Sequence, residues 1–111
     1  MGYSRAVLVG ETLYISATSA AASDGSVTGD LYEQTAFTLS KLSAVLEEAG
    51  FTFADVVQSK LYLTNIDAWE LAARAHGEVF GEIRPALSML HVLPFLDPAM
   101  LVEIELVATR A

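Results

Sequence analysis

The chain has 111 residues, which fits one domain, and its 14 acidic and 6 basic side chains give a formal charge of −8. This charge disfavours a nucleic-acid partner, because binding phosphates requires clustered Lys and Arg, and the lack of cysteine excludes disulfides and thiolate metal sites. The N-terminal residues lack the apolar core of a signal peptide and no run approaches the roughly 18 apolar residues of a membrane span, so we expect a cytoplasmic protein that does not bind membranes.

The first 29 residues predict a hairpin followed by a loop. Two apolar runs flank Gly10-Glu11 in "AVLVGETLYISATS", and glycine at the first loop position suits a tight two-residue turn. The next stretch, "AAASDGSVTG", is small and polar, with Asp24-Gly25 as a turn signal. We expect it to be a mobile loop.

The segment "DLYEQTAFTLSKLSAVLEEAG" predicts the first helix. Asp30 and Glu33 have the spacing of a capping box, and Gly50 is a C-terminal stop signal. Thr35 is the one polar residue in a stripe of apolar side chains at helical spacing, which are Leu31, Leu39, Leu42, Val45 and Leu46.

The segment "VVQSKLYLT" alternates in the manner of a half-exposed strand. One face of this strand is expected to carry Val57, Ser59, Leu61 and Leu63, and the other Gln58, Lys60 and Tyr62.

A second helix is predicted over "NIDAWELAARAHGEVFGE". Asp67 and Glu70 repeat the capping spacing, and Gly81 closes the helix. Its expected inner stripe contains Trp69, Ala72, Ala73, His76, Val79 and Phe80.

Two more strands complete the chain. "PALSMLHVL" has Pro85 at its start, where the missing N–H does least harm. After the loop "PFLDPAM", the strand "LVEIELVATR" alternates Val102, Ile104 and Leu106 with Glu103 and Glu105.

This order of elements predicts an α+β fold in which two helices cover one face of a single sheet. The uncovered face of an antiparallel sheet normally reads polar, yet the strand after Pro85 is largely apolar on both faces. Of the residues, 53% are hydrophobic and only 18% are charged. This charged fraction is low for a small monomer, because a small protein has a large surface relative to its volume. We therefore expect the second face to be buried by self-association.

The chain resembles the RidA family, also called YjgF or the L-PSP group, over almost its whole length. The resemblance rests on "YISATS", on "EQTAFTLSKLSAVLEEAGFTFADVVQSKLYLTNIDAWELA", on "PALS" in place of Pro-Ala-Arg-Ser, and on "VEIELVA". It implies a chorismate-mutase-like fold and a homotrimer with a central barrel and three clefts between subunits. Members with the full motif hydrolyse enamines and imines to keto acids and ammonia without metal or organic cofactor, so we expect no cofactor here. A ribonuclease activity has been attached to some members, and the charge of −8 argues against it here.

The resemblance also implies a set of cleft residues. The family's N-terminal tyrosine corresponds to Tyr3, its second-strand serine to Ser16, and the glutamate that orients or activates water to Glu103. The arginine that holds the substrate carboxylate corresponds to Leu87, and a cleft asparagine corresponds to Ala73.

Leucine at position 87 changes the expected chemistry, because it offers no hydrogen-bond donor. A hydrogen bond to a charged group contributes roughly 1.5–3 kcal/mol, so losing a bidentate arginine is expected to weaken carboxylate binding by about two or more orders of magnitude. Arg84 lies three positions earlier with the wrong strand parity for replacing it.

Other candidates have both structural and functional interpretations. His91 shares a strand face with Leu87 and Met89 and is either an interface residue or a new acid/base in the cleft, where Met89 would also line the ligand. Thr18 is a candidate at the cleft mouth. Glu105 is expected to be solvated or salt-bridged to a neighbour, and His76 to be structural. The two histidines lack the spacing of a metal site.

Three hypotheses follow. The first is a trimer that binds a small, uncharged or weakly polar metabolite between subunits, with Glu103 handling protons and Tyr3, Ser16 and His91 orienting ligand and water. The second is a non-catalytic ligand-binding or interaction protein on the same scaffold. The third is a retained imine deaminase that uses another anion clamp.

Overall fold

The computed structural model describes residues 1–110. The strands and helices follow one another in the predicted order, and two one-turn 3-10 helices, Phe53–Asp55 and Ile66–Ala68, precede the third strand and the second helix. The main elements are β1 (Ala6–Val9), β2 (Thr12–Ser19), α1 (Leu31–Glu48), β3 (Val56–Leu63), α2 (Trp69–Phe80), β4 (Ala86–His91) and β5 (Val102–Thr109).

The five strands form one sheet in the order β1-β2-β5-β3-β4. The sheet is mixed rather than antiparallel, because β3 and β4 are parallel. A parallel pair needs a crossover connection, and α2 supplies it. The strands β1 and β4 are the two edges of the sheet.

The hairpin forms as predicted. Val9 pairs with Thr12 across the turn, and Gly10 has a φ of +59°, a conformation that glycine adopts without steric cost. Further along β2, the pairing with β5 shifts register between Ile15 and Thr18. This bulge re-aims the side chains at the end of β2.

The predicted capping box of α1 is confirmed. The Glu33 N–H donates to Asp30 Oδ1 at 2.9 Å and the Asp30 N–H donates to Glu33 Oε1 at 3.0 Å. The hydroxyl of buried Thr35 donates to the Leu31 carbonyl at 2.7 Å, which explains how a polar residue fits the apolar stripe. Gly50 follows the helix with a φ of +83°.

Two predictions about α2 are wrong. Asp67 lies inside the 3-10 turn, and α2 begins at Trp69 after Ala68 without a side-chain cap. Trp69 is 47% exposed rather than buried, because the 3-10 turn changes the phase of the helix at its start. The inner face contains Ala75 where we expected Ala73, together with Ala72, His76 and Phe80.

The face predicted for Val57 is also wrong. The pairing of β3 with β5 shifts register between Val56 and Gln58, so Val56 is buried and Val57 is exposed. A bulge of this kind breaks the alternation on which the prediction rested. Beyond it, Ser59, Leu61 and Leu63 are buried as expected.

The core lies between the two helices and one face of the sheet. Alternate residues of β2, β3 and β5 are buried there, and each leucine or isoleucine contributes about 1.5–3 kcal/mol of hydrophobic stabilisation. The sheet residues concerned are Leu13, Ile15, Leu61, Leu63, Val102, Ile104 and Leu106.

The other face of the sheet carries no helix and is called the open face below. It carries the glutamates of β5 and several exposed large apolar side chains, which are Val7, Val9, Tyr14 and Leu90. The unusual apolar character expected of this face is therefore present. None of the helices within residues 1–110 is long and apolar enough to cross a membrane.

Candidate functional site

The residues that the sequence nominated fall into two groups within one chain. Ser16, Thr18 and Glu103 lie on β2 and β5, whereas Leu87, Met89 and His91 lie on the edge strand β4. Strands β2 and β4 are separated by β5 and β3, which corresponds to roughly 14 Å at about 4.8 Å per strand. One subunit alone does not bring the two groups together.

Leu87 and Glu103, one residue from each group, lie on opposite faces of the sheet. Leu87 pairs with Ser59, which pairs with Leu106, so Leu87 shares the helix-covered side. Glu103 pairs with Tyr62 and Ser19 and lies on the open face. Glu103 and His91, the two predicted catalytic residues, are therefore not neighbours within a subunit.

Arg5 organises the first group, and the sequence reasoning missed it. Its Nη1 donates to Thr18 Oγ1 at 2.9 Å, to the Ala17 carbonyl at 3.1 Å and to Ser16 Oγ at 3.2 Å. The Ser16 hydroxyl in turn donates to the Arg5 carbonyl at 3.1 Å. The bulge of β2 makes this convergence geometrically available, because it turns the end of the strand toward Arg5.

A signal for Arg5 was present in the sequence. The hairpin pairs Ala6 with Ile15, so counting back one more step from the Gly10-Glu11 turn places Arg5 opposite Ser16. The Ser16 N–H does donate to the Arg5 carbonyl, at 2.9 Å. The register of a two-residue hairpin therefore predicts that a cation flanks the nominated serine.

Glu103 is a half-buried carboxylate whose charge is only partly compensated. Burial raises the pKa of the Glu103 carboxyl above its ordinary value, and the positive charge of Arg5 opposes this rise. Within residues 1–110 its carboxylate has no hydrogen-bond or salt-bridge partner. A carboxyl group with a raised pKa exchanges protons more readily near neutral pH than an ordinary one.

The neighbouring Glu105 is engaged in a different way. The Tyr62 hydroxyl donates a hydrogen bond to Glu105 Oε1 on the open face. This hydrogen bond, followed by burial and the carboxylate charges, raises the pKa of Tyr62 to about 12. The two glutamates of β5 therefore differ, and Glu103 is the one whose carboxylate is not already bound.

The second group offers an apolar wall with one polar residue. Leu87 is 45% exposed on the edge strand, Met89 packs partly against the core, and His91 is exposed. No arginine stands at position 87, and Arg84 lies in the turn before β4 with a φ of +58°.

The remaining nominated residues are peripheral in one chain. Tyr3 is 68% exposed before β1, and Ala73 is half-buried on α2. His76 is structural as predicted, because its Nε2 lies 2.8 Å from the hydroxyl of buried Ser59. Neither Tyr3 nor Ala73 contacts Glu103 through a hydrogen bond within residues 1–110.

A single mixed sheet with both helices on one face defines an α+β protein of the chorismate-mutase-like fold. The sequence profile described as Endoribonuclease L-PSP matches residues 1–110. The chain therefore belongs to the Endoribonuclease L-PSP family, the group also called RidA or YjgF.

Relatives of known sequence and structure agree with this assignment. The RutC family protein of Pyrococcus abyssi is 32% identical over 110 residues, covering 97% of this chain and 86% of the relative. Rv2704 of Mycobacterium tuberculosis, described as a member of the YjgF/YER057c/UK114 family, is 37% identical with a TM-score of 0.87, covering 97% of this chain and 86% of its own. E. coli TdcF with bound serine has a TM-score of 0.91 at 20% identity, covering 100% of this chain and 90% of its own, and this likeness shows the fold.

Proposed function

We propose that the protein is a homotrimer that binds a small metabolite in clefts between neighbouring subunits. The two groups of site residues support this, because they lie toward opposite edges of the sheet. In a cyclic assembly one edge of a subunit meets a different surface of its neighbour, so Leu87, Met89 and His91 of one subunit would meet Ser16, Thr18 and Glu103 of the next. The exposed apolar side chains of the open face would be buried in the same assembly.

The chemistry that we propose in these clefts is hydrolysis of an imine or enamine, with Glu103 as the proton-handling residue. One observation carries this: Glu103 is a half-buried carboxylate with a raised pKa and no hydrogen-bond partner within residues 1–110. A carboxylate in this state can take a proton from water and return it to the leaving nitrogen. Ser16 and Tyr3 would orient ligand and water, and His91 would add a second polar group.

The apolar wall at Leu87 and Met89 supports an uncharged or weakly polar substrate. A leucine side chain gives no charge-assisted bond to a carboxylate. Neither a metal nor an organic cofactor is needed for hydrolysis of such a substrate, because water and one acid/base residue suffice. The acidic chain, at −8, supports metabolite binding over RNA binding.

Turnover of a panel of imines and enamines by Glu103→Gln tests this function. The variant removes the titrating group and keeps the shape, so we expect turnover to fall at least about 100-fold, within the range for general acid–base catalysis. Glu105→Gln is the matched control on the same strand and face, and it should retain turnover. Equal activity of wild type and Glu103→Gln would refute the role of Glu103.

A second candidate function is retained deaminase activity toward imino acids. The observation that favours it is Arg5, whose guanidinium is fixed beside Ser16 by three hydrogen bonds and lies near enough to Glu103 to affect its pKa. Arg5 would then replace the arginine that the family carries at the position of Leu87. Ammonia release from 2-iminopropionate generated in situ tests this, with Arg5→Gln as the variant and Arg84→Gln as the control.

The remaining alternative is a binding protein without catalysis. It would be supported if the panel caused ligand-dependent thermal shifts and no turnover. For the assembly, light scattering should give about three times the mass of the 11.9 kDa chain. A mass near that of one chain would contradict the intersubunit cleft itself.

A further inference from the structure

A cavity of about 460 Å³ lies between α1 and the loop that follows β2. Arg5, Ser19, Phe37 and Lys41 contribute to its lining. Its volume falls within the range of about 300–1,000 Å³ that is typical of small-molecule sites. It adjoins α1 on the helix-covered side of the sheet and does not include Glu103.

Lys41 is held in this cavity by two backbone carbonyls. Its Nζ donates to the Ala21 carbonyl at 2.7 Å and to the Ser19 carbonyl at 2.8 Å. An ammonium group has three protons, so one donor remains for a ligand. Burial lowers the pKa of Lys41, and the charge of Arg5 lowers it further.

Arg5 brings the second positive charge. Its Nη1 is bound to Ser16, Ala17 and Thr18, none of which supplies a negative charge. Its Nε and Nη2 make no hydrogen bond within the part of the chain that the structure describes, which leaves a planar pair of donors available. Arg5 is therefore held in place without a salt bridge among residues 1–110, although its charge reaches the carboxyl of Glu103.

Neither cation has a salt-bridge partner among residues 1–110, where the one ion pair joins Arg110 and Glu11. This is unexpected in a chain with 14 acidic and only 6 basic residues, because acidic partners are abundant. Two like charges at one cavity without a direct salt bridge repel each other, and a bound anion would relieve that repulsion.

We propose that this cavity binds a phosphate group, held by the guanidinium of Arg5 and the ammonium of Lys41. Two positive charges match a doubly charged oxyanion better than a single carboxylate, and a planar guanidinium beside a point-charge ammonium suits phosphate oxygens. The Phe37 ring, which lies 6.0 Å from Lys41 Nζ, supplies an apolar wall for the organic part of a phosphomonoester. The high negative charge of the chain disfavours a nucleic acid as the source of the phosphate.

Isothermal titration calorimetry on the intact protein tests this site with two probes, inorganic phosphate and phenyl phosphate, in buffer of constant ionic strength. We expect binding by the wild type. Arg5→Gln and Lys41→Gln should each raise the Kd about tenfold or more, because each removes a charge-assisted bond. Lys41→Arg keeps the charge and should retain binding, as should Arg84→Gln, which removes a cation outside the cavity.

The outcomes separate the possibilities. Tighter binding of phenyl phosphate would identify a phosphomonoester as the occupant, and equal binding would identify the free ion; both support the site. No heat of binding in the wild type, an unchanged Kd in both cavity variants, or tighter binding of succinate than of either phosphate would overturn it. Should Lys41→Gln fail to fold, Arg5→Gln and Lys41→Arg still decide the question. Lys41→Gln should leave any turnover at Glu103 unchanged, so failure of this site and failure of the proposed function are distinguishable.

Discussion

The buried His76–Ser59 pair makes the stability of the fold sensitive to pH. His76 is 7% exposed, its Nε2 lies 2.8 Å from the Ser59 hydroxyl, and its ring packs 4.6 Å from that of Phe80. Burial lowers the pKa of His76 below its ordinary value of 6.5. The folded protein therefore holds this histidine neutral where the unfolded chain protonates it.

The sign and size of the effect follow from proton linkage. Because the unfolded chain binds the proton more tightly, the stabilisation is complete above pH 6.5 and decreases as the pH falls from there through the folded-state pKa. Between the pKa of His76 in the unfolded chain and its lower pKa in the folded protein, each unit by which the pH falls decreases the free energy of unfolding by at most about 1.4 kcal/mol. Replacing His76 with glutamine removes this dependence while keeping a side chain that can bond to Ser59.

Urea unfolding of wild type, His76→Gln and His91→Gln between pH 7.5 and 5.5 measures the effect as a difference. Titrating groups that none of the substitutions touches contribute equally to all three proteins and cancel. We expect the wild type and His91→Gln to lose stability together, because His91 is exposed, and His76→Gln to lose less. Parallel pH curves for all three proteins would refute the argument that His76 is held neutral by burial.

Three further predictions concern the helix ends and position 87. Asp30→Ala removes the capping bond to the Glu33 N–H and should destabilise the protein by about 0.5–2 kcal/mol in urea unfolding. Asp30→Asn keeps an acceptor oxygen and should lower the free energy of unfolding far less. An equal loss of stability in both variants would contradict a capping role. Gly50→Ala forces a φ of +83° on alanine and places a Cβ 3.0 Å from Arg110 Nη1, so it should destabilise the protein by about 1 kcal/mol or more. A neutral or stabilising effect would show that the turn relaxes. Leu87→Arg should lower the KM for 2-iminopropionate by about tenfold or more, because it adds a charge-assisted bond to the substrate carboxylate. Leu87→Met is the control. An unchanged KM for Leu87→Arg in an intact trimer would show that position 87 does not face the substrate.

Local patterns predicted most of the elements of this fold. The tight turn at Gly10, the capping box of Asp30 and Glu33 and the inward face of β5 all formed as expected, since each depends on interactions within a few residues. The errors occurred at Val57 and Trp69, where a bulge and a 3-10 turn shift the phase of the side chains. Periodicity assumes a constant phase along an element, so it cannot register such shifts.

The site was less accessible to sequence reasoning. Glu103 and Glu105 have the same residue type, strand and face. They differ because the Tyr62 hydroxyl binds Glu105, whereas Glu103 is subject to burial and to the charge of Arg5. Lys41 is an ordinary surface position in the helical pattern of α1, and its approach to Arg5 depends on how α1 packs over the end of β2.

By itself the amino-acid sequence determined the order of helices and strands, the single-sheet α+β class, the family and the absence of an arginine at position 87, because these depend on residue identity and local spacing. Only the tertiary structure decided that β3 and β4 are parallel, that Arg5 is fixed at the bulge of β2 beside Lys41, and that Glu103 lies on the opposite face from Leu87. Those relations join residues far apart in the chain, and the packing of helices on the sheet, rather than any local preference, sets the distances between them.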